Sequence, residues 1–142
     1  MGLLDAFKGK TVTASELRGN VIKAMDVLVQ MHQALASMPA PLSEAAIVSY
    51  IQRVGEHPEE TMARLVKVER GLLQGDITDI PRHELTELRE VMHRLKVHLL
   101  RSYSESRRLP QGAQGRRVVQ QVAKERNTIL TDLIKTLDRA LR

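Results

Sequence analysis

The chain has 142 residues, enough for one domain with one core. With no cysteine it can carry neither a disulfide framework, nor a thiolate metal site, nor a thiol nucleophile. Apolar residues make up 42% and are aliphatic apart from Phe7, Tyr50 and Tyr103, a mix that favours helices over strands. The net charge of +5 belongs to the last third: residues 1–100 hold 12 Lys and Arg against 13 Asp and Glu, whereas residues 101–142 hold 10 against 4.

Residues 1–12 read as a short amphipathic arm, with Leu3, Leu4 and Phe7 at helical spacing and Gly9 ending it. Thr13-Ala14-Ser15-Glu16 has the pattern of a capping box, in which the Thr hydroxyl accepts a backbone N–H and the Glu side chain reaches back to the cap. Leu17, Val21, Ala24, Leu28, Met31 and Leu35 then recur in steps of three and four, predicting a helix to about Met38, where Pro39 and Pro41 stop it. Ser43 is a cap for the next segment, which carries Ile47, Tyr50, Ile51 and Val54 before Gly55 interrupts it. Pro58, Glu59 and Glu60 suit a helical first turn, so residues 43–75 read as one bent arm, with Met62, Leu65, Val66, Leu72 and Leu73 on its apolar side.

Asp76 to Pro81 is turn chemistry, with Thr78 or Asp79 as the following cap. Leu85, Leu88, Met92, Leu95 and Leu99 define the clearest helix, expected to run to about Arg107. One proline and two glycines between Leu109 and Gly115 break the pattern. The last helix is expected from about Arg116 to Arg142 through Val119, Val122, Ile129 or Leu130, Leu133, Leu137 and Leu141. The fold class is therefore all-α: an antiparallel up-down four-helix bundle with one helix broken near Gly55 and Pro58, residues 1–12 as the arm and residues 13–142 as a single domain. No apolar run approaches the roughly 18 residues a membrane span needs, and no secretory pattern is present at the start, so a cytoplasmic location is expected.

Motifs of catalysis are sparse. Glu90-Val91-Met92-His93 has the E-x-x-H spacing of di-iron bundles, yet the second such motif and the further inward glutamates are missing, so neither a metal nor any cofactor is expected. His93-Arg94-Leu95-Lys96 resembles the H-x-L-K core of histidine phosphotransfer domains, four-helix bundles that carry a phosphoryl group on an exposed imidazole. The likeness covers four residues, and Val97 stands where that family has glycine. It implies phosphotransfer at His93, which ranks third among the readings. No phosphate-binding glycine motif occurs, and no small-molecule substrate is inferred.

What remains is surface. Arg101, Arg107, Arg108, Arg116 and Arg117 flank the Pro/Gly break, and an antiparallel turn would gather them at one end of the bundle as a polyanion-binding patch. Arg126 falls on or beside the apolar seam of the last helix. An unpaired guanidinium in a closed core is costly, which marks that seam as incompletely internal. Leu3, Leu4, Phe7, Arg126, Leu133 and Leu137 are accordingly the expected partner interface. The chain is expected to be no enzyme but an interaction or assembly module that docks on itself or on a larger complex. Nucleic-acid binding through residues 101–117 is the alternative, and a membrane surface is disfavoured because the apolar arm is so short.

Overall fold

The computed structural model describes residues 11–107 and 112–142. It contains five helices, α1 (Ala14–Ala36), α2 (Ala40–Val54), α3 (Pro58–Gln74), α4 (Arg82–Ser106) and α5 (Ala113–Ala140), with a 3₁₀ turn at Ile77–Asp79 and no strand among the described residues. No helix among them is long and apolar enough to cross a membrane. Residues 1–10 of the N-terminal arm, with Leu3, Leu4 and Phe7, lie outside the described residues, and Val12 at its end is buried in the core.

Local chemistry explains the boundaries. Thr13 Oγ1 accepts from the N–H of Glu16 at 3.0 Å and caps α1. Only half of the expected capping box forms, because the Glu16 carboxylate is held instead by Arg139 of α5 at 2.8 Å. Pro39 takes the N-cap position of α2 and Pro41 sits in its first turn, so the prolines that end α1 also begin the next helix; the Ser43 hydroxyl, expected as the cap, donates to the carbonyl of Ala40.

The segment expected to be one bent arm is two helices. Gly55 adopts φ +93°, a left-handed C-cap whose N–H returns to the carbonyl of Ile51 at 2.9 Å. Two residues later His57 caps α3, its Nδ1 accepting from the N–H of Glu59. A buried polar chain fixes the corner: the Tyr50 hydroxyl donates to Thr61 Oγ1, and the Thr61 hydroxyl donates to Glu56 Oε2, both at 2.9 Å. Arg64 then bridges Glu56 and Glu87 of α4, both at 2.8 Å. Burial pushes the Tyr50 phenol up to about 12, which keeps it a neutral donor.

α1 packs along α3 and α5, α4 along α5 and α3, and α2 beside α4. Leu17, Val21 and Ala24 of α1 meet Leu65, Val68 and Leu72 of α3, Leu85, Leu88, Met92 and Leu95 of α4, and Leu130, Leu133 and Leu137 of α5 in one core cluster. Ion pairs lace its rim: Arg18 to Glu69, Lys67 to Glu84, Arg89 to Asp138, and Arg139 to Glu16. Each joins the N-terminal part of one helix to the C-terminal part of its neighbour. Pairs this exposed contribute at most about 1 kcal/mol each, so the aliphatic cluster dominates stability.

The core does not run the full length of the helices. α5 starts at Ala113, three residues before the expected Arg116, yet its buried residues begin only at Leu130. The molecule therefore has a closed end, holding the start of α1, the end of α3, the start of α4 and the end of α5. The opposite end, holding α2 and the remaining halves of α1, α4 and α5, is more open.

Candidate functional site

Of the eleven large hydrophobic side chains exposed among the described residues, all but Ile22 and Leu73 belong to the open end. Four form a set on adjoining helices: Val97 (50% exposed) and Leu100 (45%) on α4, Val118 (58%) and Val122 (36%) on α5. Residues 118 and 122 are one turn apart and share a face. Between the two helices runs a cleft of about 290 Å³ whose walls include Leu99, Leu100, Tyr103, Val118, Val119 and Val122.

The arginines expected to gather here are brought together in part. Arg107 and Arg116 line one hollow of about 310 Å³ with Tyr103, Val119 and Gln120. Arg107 Cζ stands 5.8 Å from the centre of the Tyr103 ring, within cation–π range. Arg101 is one to two turns earlier on α4, beside Val97, Leu100, Ser104 and Glu105 in a separate hollow. Arg117 is exposed in the first turns of α5, and Arg108 lies outside the described residues. Glu105 at this end is paired with Arg53 of α2 at 2.6 Å.

Leu133 and Leu137, expected at an interface, are fully buried in the chain's own core. They pack in the core cluster with residues of α1 and α4, so the α5 surface left exposed lies nearer its N-terminus. Arg126 stands where coverage stops. Its guanidinium is half-buried and makes no ion pair among the described residues, its Nε is buried without a hydrogen-bond partner, and burial lowers its pKa.

Arg126 also lines a second cavity, of about 460 Å³, a half-open space to which all five helices contribute residues. Its walls are largely aliphatic, with Leu28, Met31, Leu35, Met62 and Leu99. His98, on the same wall, is buried and packs edge-on against Tyr50, with ring centres 5.4 Å apart at 77°. Its Nδ1 has no hydrogen-bond partner, and burial, reinforced by the charge of Arg53 and opposed by Glu105, lowers its pKa. The signal for this histidine in the sequence was that residue 98 follows Leu95 by three on the buried stripe of α4.

His93 is exposed and lines none of these cavities, as does its E-x-x-H partner Glu90. No group of three or more His, Asp or Glu side chains suited to a metal occurs among the described residues. The polar hollow between α3 and α4 is lined by Arg64, Lys67, Glu84 and Glu87, which pair with one another. Comparison of the chain with protein-family models, with curated proteins and with solved structures gave no match.

Proposed function

We propose that this protein is a non-enzymatic interaction module whose docking surface is the α4–α5 face of the open end, and that its partner is an amphipathic helix with acidic residues beside its apolar face. The observation that carries this reading is that exposed Leu100, Val118 and Val122 line the α4–α5 cleft, with exposed Val97 beside Leu100 in the next hollow. A contiguous apolar patch rimmed by charge marks an interaction site more often than isolated exposed side chains do, and a helix laid in a groove buries anchors of this spacing. The rim carries Arg101, Arg107, Arg116, Arg117 and Lys124, so charge complementarity selects an acidic partner and disfavours a second copy of the same basic face.

The scaffold supporting this face reads as an antiparallel up-down four-helix bundle of α1, α3, α4 and α5, with α2 added at the open end. The supporting observation is the closed circuit of neighbours, α1 to α3, α3 to α4, α4 to α5 and α5 to α1, each tied by a head-to-tail ion pair. Covering four half-exposed aliphatic side chains recovers on the order of 1 kcal/mol each. Association costs about 4–15 kcal/mol, so these anchors need help from the partner's own apolar face and from its charge. Affinity should therefore fall as salt rises.

A second reading, nucleic-acid binding, is favoured by one observation, the hollow where Arg107 lies over Tyr103 with Arg116 on the wall. One experiment separates the two. Fluorescence anisotropy is read with a helical Leu/Glu peptide, its Leu/Lys counterpart, and single-stranded and duplex oligonucleotides, on wild type and on Val118→Asp/Val122→Asp. The docking reading expects the Glu peptide to bind wild type, the Lys peptide not to bind, and the double variant to lose binding. Oligonucleotide binding that survives the double variant but is lost in Arg107→Glu/Arg116→Glu supports the second reading; no binding of any probe at low salt rejects both.

A further inference from the structure

We infer that the half-open cavity lined by all five helices binds a small amphiphile with a carboxylate head and an unbranched apolar body, held at its head by Arg126. At about 460 Å³ the space is far larger than the roughly 30 Å³ that one water occupies in liquid and falls within the roughly 300–1,000 Å³ of small-molecule sites. Its walls divide as such a ligand requires. Leu28, Met31, Leu35, Met62 and Leu99 supply aliphatic surface from α1, α3 and α4, while Arg126, His98 and Ser102 supply polar groups from α5 and α4, with His32, Tyr50 and Glu59 on the remaining walls.

Arg126 and His98 both reach this cavity, and both have buried nitrogens without partners: Nε of the arginine and Nδ1 of the histidine. Ser102 is one turn beyond His98 on the same face of α4 and lines the same space. A guanidinium half withdrawn from water with no carboxylate paired to it carries a desolvation cost, whereas a carboxylate entering the cavity would accept two parallel N–H bonds from it. A single arginine matches a monoanion. Glu59, exposed at the start of α3, is the one acidic residue on the wall, and its charge disfavours a dianionic phosphate head. Neutral His98 and the Ser102 hydroxyl complete the set of polar groups near the head.

The site is separable from the proposed docking face. Leu99, Ser102 and Arg126 line both the cavity and the α4–α5 cleft, but Val118 and Val122 line only the cleft. The test is displacement of a dansyl-labelled undecanoate probe by dodecanoate and by dodecanol, all below their aggregation concentrations, with the full chain. Wild type should bind the probe with enhanced, blue-shifted emission, and dodecanoate should displace it about tenfold more strongly than dodecanol, the difference one charge-assisted contact produces. Arg126→Gln should erase that preference while still binding dodecanol, and Ala46→Phe, which adds a ring at the cavity wall, should weaken both ligands. Val118→Asp/Val122→Asp should leave dodecanoate binding intact, whatever happens to peptide binding. The inference is overturned if wild type does not bind the probe, if acid and alcohol displace it equally, or if Arg126→Gln keeps the preference for the acid. Should a variant fail to fold by circular dichroism, the acid-to-alcohol ratio of wild type alone decides.

Discussion

At one end of this molecule Leu17, Val21, Leu65, Leu88, Met92, Leu133 and Leu137 close on each other completely; at the other, the same helices leave two apolar cavities, an unpartnered arginine and most of the exposed aliphatic side chains. Both ends draw on the same residue types and the same helical period. They differ in coverage: at the closed end the apolar stripe of α5 is buried against α1 and α4, whereas the first half of α5 buries no residue before Leu130. Identical hydrophobic periodicity can thus produce a core in one half of a helix and an exposed apolar face in the other. Stability is concentrated in the first region and adaptable surface in the second.

The sharpest way to break this division is truncation on the two halves of α5. Leu133→Ala removes a fully buried side chain and should destabilise by about 2–5 kcal/mol, while Val122→Ala, on the same helix, should cost under about 0.5 kcal/mol. Urea unfolding of the two variants checks the ratio; equal costs would erase the distinction between the ends. Next in size is the corner between α2 and α3. Glu56→Ala leaves the buried Thr61 hydroxyl without its acceptor and Arg64 without one of its two carboxylates, so a loss of about 1–3 kcal/mol is expected in the same assay.

Gly55→Ala should follow at about 1–2 kcal/mol. A side chain is strained at φ +93°, and the added Cβ would stand 3.3 Å from the guanidinium of Arg94, the far end of a flexible side chain that can move aside. Its melting temperature should fall, and α2 and α3 should remain separate helices.

The smallest effect is a pH dependence. Burial lowers the His98 pKa in the folded state, so below its ordinary value of about 6.5 the unfolded chain takes up a proton that the folded one resists. The stability His98 lends is then fully present above about pH 6.5 and declines as pH falls toward its folded pKa. Melting curves of wild type and His98→Gln between pH 7.5 and 5 should converge as the solution becomes acidic. Parallel curves would show that His98 is not desolvated.

Much of this architecture was legible in the residues. Steps of three and four located Leu17, Val21, Ala24 and Leu28, and again Leu85, Leu88, Met92 and Leu95, and the structure buries all of them. Gly55 and Pro58 announced a break, though a glycine with positive φ followed within two residues by a new cap ends a helix outright instead of bending it. Leu73, placed on the apolar side of its arm, is exposed because the buried stripe of α3 runs through Leu65, Val68 and Leu72. Periodicity told which face of α5 was apolar but not where its neighbours stopped, so Leu133 and Leu137 read as interface while Val118 went unremarked. The cavity could not be read at all, since it depends on how five helices diverge. Arg126 was its one trace in the sequence, a cation on a seam that should have had none.

Native-state hydrogen exchange tests the division between the two ends most directly. The amides of residues 17–24, 85–95 and 130–137 should exchange only with global unfolding, while those of residues 116–125 should exchange by local opening at far lower free energy. Uniform protection along α5, or slower exchange in residues 116–125 than in residues 130–137, would contradict it.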